Sequence, residues 1–190
     1  MPRPGALPRS LLLTCRRHRI PLTRDVLTVS VPAQRVAWFR SPSLPIHPFA
    51  PAHTLHRTFR ASTSRFGIGQ IRDSLRTPLG LHRIAARIGH GWPVGTVFRA
   101  RQPVGRTWAG MPHATIAHRI LWLEGLEPGF NRGGPVDTFS RYIYVHGLAD
   151  EPSLGRPASQ GCIHLAAADL IPLHDQLPLH TLVWIHPKAF

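Results

Sequence analysis

A histidine at the end of a short apolar run and a cysteine beside a glycine make this chain a candidate for thiol acyl chemistry. The pair is His146 and Cys162, sixteen positions apart. The thiolate is the attacking form of cysteine, and a neighbouring imidazole can take its proton. His146 closes the β-like run 142–145 and precedes Gly147, where the chain can turn sharply and a substrate can come close. Cys162 lies in Ser159-Gln160-Gly161-Cys162-Ile163-His164. A turn through Gln160, Gly161 and Cys162 would aim consecutive N–H groups at one point, as oxyanion stabilisation requires. Ser159 is suited to hold that turn by bonding its backbone. A helix starting near the cysteine would favour the thiolate through its dipole. Cysteine is also a common packing residue, so spacing alone leaves both readings open.

The elements that must position this pair are read from apolar periodicity. Residues 26–31 and 34–39 are two β-like runs joined at Pro32-Ala33, which predicts a hairpin. Residues 41–54 carry many prolines and read as a loop. Residues 57–63 alternate as a strand does and lead to Gly67 and Gly69, which lack the G-x-G-x-x-G spacing of a nucleotide loop. Thr77-Pro78-Leu79-Gly80 marks a turn. Residues 82–88 fit strand or helix, and 94–100 and 118–123 are further strand candidates. Residues 124–136 read as loop. Residues 165–177 are the best helix, with Leu165, Leu170, Leu173 and Leu177 on one stripe and Pro172 inside it. Residues 181–185 read as a buried strand. Many short strands with one or two helices predict a mainly β domain with a packed helix.

The chain has 190 residues, enough for one domain with a real core. Residues 1–22 are rich in Arg and Pro and are expected to be a disordered basic tail, or a weak export signal around Leu11–Leu13; residues 23–190 form the folded domain. No apolar run is long enough for a membrane-spanning helix. The formal net charge of +14 attracts polyanions in general, anionic cell-wall polymers included, and selects none of them. Two cysteines, Cys15 and Cys162, do not make a disulfide scaffold, so Cys162 is read as a free thiol. The 13 histidines show no H-E-x-x-H or Cys/His zinc spacing, so no metal is expected. His53, His56, His113 and His118 are expected at the surface or in loops. The tryptophans Trp38, Trp92, Trp108, Trp122 and Trp184 are expected as core or loop anchors.

The stretch 141–165 resembles the active-site signature of the L,D-transpeptidase catalytic domain (YkuD-type). That signature has a strand ending in His-Gly, then a loop, then Ser/Thr-His-Gly-Cys with an apolar and a polar residue after it. The counterparts are His146-Gly147 and Ser159 to His164. Ser62-Thr63, Thr77 to Gly80, Arg141 to Tyr144 and residues 181–185 follow in the family's order, so the resemblance covers roughly 25–187. It implies β-sandwich or barrel-like mixed sheets. It also implies that Cys162 is the nucleophile and His146 the base, oriented through a backbone carbonyl near Gly147. Gly161 and Cys162 would supply oxyanion N–H groups. Ser159, Gln160, His164, Tyr144 and Arg141 are the candidate substrate-binding residues, Arg141 for a stem carboxylate.

The implied partner is the peptidoglycan stem peptide, with no cofactor, no nucleic acid, and a periplasmic, cell-envelope or extracellular location. The thiolate would attack the third-position carbonyl of a tetrapeptide stem, D-alanine would leave, and an amine would resolve the thioester. Water as acceptor would give a carboxypeptidase instead. Two positions depart from the pattern: Gln160 replaces the histidine before Gly-Cys, and His164 replaces the usual Arg or Asn. Gln160 donates hydrogen bonds but is no base, and His164 is a conditional cation that would support the loop or a substrate carboxylate. The rival from another class is a non-catalytic basic module that binds cell wall or nucleic acid through its arginines.

Overall fold

Strand β1 (Asp25–Ser30) pairs antiparallel with β2 (Arg35–Arg40), Asp25 opposite Arg40 and Ser30 opposite Arg35. This is the hairpin that the apolar alternation predicts. The computed structural model describes residues 6–42 and 52–189. Most of the proline-rich loop expected at 41–54 lies outside the described residues. The remaining strands are β3 (Thr54–Ser62), β4 (Gly80–Ile88), β5 (Thr96–Arg99), β6 (Gln102–Arg106), β7 (Ala117–Gly125), β8 (Tyr144–Gly147), β9 (Ile163–Leu165) and β10 (Leu182–His186). They join in the order β4-β10-β1-β2-β3-β9-β8-β7, and β4 pairs again with β7, so the sheet closes into a barrel. Closure removes the free edges that an open sheet exposes. Hairpin β5–β6 hangs from β7 outside the ring. The mainly β expectation holds. Residues 82–88, ambiguous by periodicity, are strand because both edges of β4 find partners, β10 and β7.

Alternation gives the sheet two apolar faces. Leu27, Val29, Ile84, Leu121, Val145 and Ile163 form the main core with Leu170 and Leu173 of α2 (Ala167–Gln176) and with Leu177 just after it. The helix starts at Ala167, so Pro172 falls in its interior rather than at its first turn. On the other face, Val26, Ala37, Phe39, Leu81 and Trp184 form a second cluster.

That second cluster is covered by α1 (Arg9–Arg17), where the sequence reading expects a loose tail. Leu11 and Cys15 lie on one stripe of the helix, Leu7 precedes it at the same four-residue spacing, and all three are buried in this cluster. Arg9, Arg16 and Arg17 stay exposed, which is why the segment reads as polar by composition. Cys15 is therefore an ordered, buried thiol rather than part of a tail; burial pushes its pKa up to about 12. Both cysteines are free. Because Leu11 is fully buried, Leu11→Ala should lower the free energy of unfolding by about 2–4 kcal/mol in urea titrations.

Candidate active site

Strands β8 and β9 run parallel, with Val145 opposite Ile163 and His146 opposite His164. Val145 and Ile163 point into the main core. Period-two alternation then sends Tyr144, His146 and His164 to the other face, where Cys162 packs against Tyr144, Phe98 and Ile120. The register brings Cys162 and His146 to one face of neighbouring strands. The rings of His146 and His164 lie 4.7 Å apart, centroid to centroid.

The half-buried thiol of Cys162 donates to the Tyr142 carbonyl at 3.5 Å and accepts the Tyr144 N–H at 3.4 Å. Among the described residues no hydrogen bond joins Sγ directly to His146. The Nδ1 of His146 lies 2.8 Å from the Gly147 carbonyl. A carbonyl only accepts, so Nδ1 carries the hydrogen and Nε2 is the free basic nitrogen. Burial lowers the His146 pKa to about 4, the Gly147 bond opposing it. Burial also raises the Cys162 thiol to about 11, against the pull of the Tyr144 N–H and the Arg141 charge. The resting pair is a neutral imidazole and a neutral thiol.

The helix expected at 165–177 is α2, but it begins only at Ala167, and strand β9 separates it from Cys162, so no helix dipole favours the thiolate. The short run 163–165 is strand because it bridges β8 and β3. The turn before the cysteine is held as expected. Ser159 Oγ donates to the Cys162 carbonyl at 2.6 Å and accepts the Gly161 N–H at 3.2 Å. That second bond engages one of the two N–H groups assigned to the oxyanion. Gly161 has φ +120°, where side chains are strained, and a Cβ there would lie 3.2 Å from Ile143 Cδ1.

The space at Gly147 is not left for substrate. A Cβ there would lie 2.6 Å from the His118 ring and 2.8 Å from the Ala117 carbonyl. His118, expected at the surface, is buried: its Nδ1 accepts the Gly95 N–H at 2.8 Å and its Nε2 lies 3.2 Å from the Leu148 carbonyl. It ties the end of β8 to the root of the β5–β6 hairpin. His53 is buried too, bonded to the Thr23 carbonyl at 2.8 Å, whereas His56 and His113 are exposed.

Arg141 is not a free carboxylate receptor. Its guanidinium donates to the carbonyls of Gly69, Gln70 and Arg76 at 3.2, 2.8 and 2.7 Å, stapling the loop after β3. His164 is buried beside His146, its Nδ1 lacks a partner, and burial drops its pKa to about 3. It is thus a neutral packing neighbour of His146, not a cation for substrate. Gln160 is exposed and lines a cleft of about 400 Å³ with Arg72, Leu75, Tyr142 and Ile143. Tyr144 is buried edge-on to Trp122 and His146.

Sequence reading missed Arg101, whose guanidinium lies 4.8 Å from the Trp122 ring centre and donates to the Tyr144 hydroxyl at 3.4 Å. Trp108, expected as a core or loop anchor, lies in a loop; its ring covers Gly95 and is 64% exposed. One group of metal-ligand type exists among the described residues, His90, His174 and Asp175, with atoms within 4.8 Å of one another. The charges of Arg87 and Arg119 act on the same spot and oppose a cation there.

The barrel is similar to solved structures. Bd1075 of Bdellovibrio bacteriovorus superposes with a TM-score of 0.55 at 15% identity, covering 89% of this chain and 50% of that one. The L,D-transpeptidase LdtMt1, solved in complex with imipenem, gives 0.50 at 15% identity, covering 86% and 59%. The chain thus spans half to three-fifths of the length of these two structures. No curated protein matches the sequence. Among the described residues no helix is long and apolar enough to cross a membrane. The family model for the YkuD L,D-transpeptidase catalytic domain matches residues 24–185, so the chain belongs to that family.

Proposed function

We propose that the domain is a cysteine acyltransferase that acts on peptidoglycan stem peptides through a thioester on Cys162. One observation carries this reading: the parallel β8–β9 register puts the thiol and the His146 imidazole on one face, in a fold of this family. His146 Nε2 takes the thiol proton as Sγ attacks the third-position carbonyl. Proton transfer and attack are concerted with substrate binding, because the resting pair is neutral. The Cys162 N–H and the dipoles of the turn hold the oxyanion. The C–N bond to D-alanine then breaks, and the imidazolium returns its proton to the leaving amine. In the second half the acceptor amine attacks the thioester carbonyl, His146 takes its proton, and Sγ leaves and is reprotonated.

Such a substrate places the working domain in the periplasm or cell envelope. The test is incubation with a disaccharide-tetrapeptide and intact-mass analysis. The expected product is a tripeptidyl adduct on Cys162, followed by cross-linked dimer. Tripeptide without dimer would assign the acceptor to water. No adduct on Cys162 with this substrate or with imipenem, the ligand held by the similar LdtMt1, would end the reading.

A further inference from the structure

We propose that Arg101, at the tip of the β5–β6 hairpin, binds the C-terminal carboxylate of the acyl donor and makes the site select a free chain end. The proposal rests on the acyl-transfer reading above. Ala100 and Arg101 form a two-residue hairpin turn with φ +47° and +68°. Such a turn usually takes Asn-Gly, because both positions are left-handed. Alanine and arginine there are held against their own preference, and strain of this kind gathers where function needs a particular side chain.

What holds Arg101 is a set of aromatic faces. Its guanidinium lies 4.8 Å from the Trp122 ring centre and 5.2 Å from that of Tyr142, and Nη1 donates to the Tyr144 hydroxyl at 3.4 Å. Trp122 is itself stacked on Phe139, centroids 4.0 Å apart. Tyr144 is the residue whose N–H reaches Cys162 Sγ. The cation is therefore one tyrosine side chain away from the nucleophile, on the same face of β8. Tyr142 both underlies Arg101 and lines the cleft shared with Gln160, so the platform and the cleft meet at Tyr142, whose carbonyl accepts from the thiol.

Arg141, which acts on Cys162, spends its donors on three loop carbonyls, and Arg72, in the cleft with Gln160, donates to Ser140 Oγ, whereas Arg101 sits on an aromatic shelf. Among the described residues no carboxylate pairs with Arg101, and the bond to Tyr144 uses one of its five N–H donors. A guanidinium fork on an aromatic shelf suits a planar carboxylate, which can accept two parallel hydrogen bonds. The donor's terminal carboxylate is one residue beyond the attacked carbonyl, about 3.3–3.6 Å of extended chain plus the carboxylate itself.

The experiment compares a tetrapeptide stem with its C-terminal amide, reading thioester formation on Cys162 by intact mass for wild type, Arg101→Ala and Arg101→Lys. Wild type should prefer the acid by about 10- to 100-fold in kcat/KM. Arg101→Ala should lose that factor on the acid and leave the amide unchanged. Arg101→Lys should recover part of it, since lysine keeps the charge and loses the fork. Alkylation of Cys162 by neutral iodoacetamide should be the same in all three, which reads access to the thiol independently of the carboxylate. Equal loss on acid and amide, or no loss on either, would overturn the carboxylate role while thioester formation still upholds the acyl-transfer reading. Absence of a thioester in wild type with both peptides would overturn both.

Discussion

Cys162→Ala should reduce thioester formation and turnover to background, a loss of more than about 10³-fold, while the fold and the unfolding midpoint stay unchanged. The side chain is half-buried and makes only weak sulfur hydrogen bonds, so its removal costs little packing. Cys162→Ser should be nearly as inactive, because a hydroxyl is much harder to deprotonate than a thiol. The neutral resting pair sharpens the expectation. With the thiol pushed up to about 11 and His146 down to about 4, the thiolate is scarce at pH 7. Alkylation of the free enzyme by iodoacetamide should therefore be slow at neutral pH and rise about tenfold per pH unit from 7 to 10. A fast, pH-independent plateau below pH 7 would show a preformed thiolate–imidazolium pair and overturn the neutral-pair mechanism. Substrate must then supply the desolvation and contacts that drive proton transfer to Nε2.

The comparison of sequence and structure is sharpest where local and long-range information part. Local pattern is enough for β1, β2, β3, β7 and β10, because each carries either alternation, as β3 does, or a short apolar run, as β10 does. Strand β6 was illegible, since Pro103 and Gly105 interrupt any run and only its pairing with β5 makes it a strand. Helix α1 carries a helical signal beneath a polar composition. Leu7, Leu11 and Cys15 carry the four-residue repeat, but the surrounding arginines and prolines dominate the composition. In the site, the Ser159 turn was local and readable. That Val145 faces Ile163, which puts His146 and Cys162 on one face, is a register between segments no local pattern joins. The contacts of Arg141 and Arg101 are hidden from local pattern for the same reason. The carbonyls that hold Arg141 are more than 60 positions away, and the Tyr144 hydroxyl that Arg101 bonds is 43 positions away. His164 reads as a conditional cation from its type alone, and only the closed barrel shows that it is buried against a second histidine.

Those buried histidines predict that the protein is acid-labile well above the carboxylate range. His82, His146 and His164 are each buried and neutral, with pKa values lowered by burial to about 4, 4 and 3. In the unfolded chain each returns to about 6.5. Above pH 6.5 neither state binds these protons, so stability is full. As pH falls from 6.5 towards 4, the unfolded state takes up three protons that the folded state refuses, so stability falls with falling pH. The slope approaches about 4 kcal/mol per pH unit, and it flattens only below the folded pKa values. Over two pH units that comes to about 8 kcal/mol, a large part of the stability of an ordinary domain, about 5–15 kcal/mol. His118, His174 and His186 shift in the same direction and add to the effect. Urea titrations at half-unit steps from pH 7 to 4.5 should show the unfolding free energy dropping steeply, with acid unfolding near the bottom of the range. His164→Asn removes one of the three protons and should lower the slope by about a third. A stability that stays flat from pH 7 to 5 would show that these rings reach water or exchange partners, and that the neutral face around Cys162 is not closed.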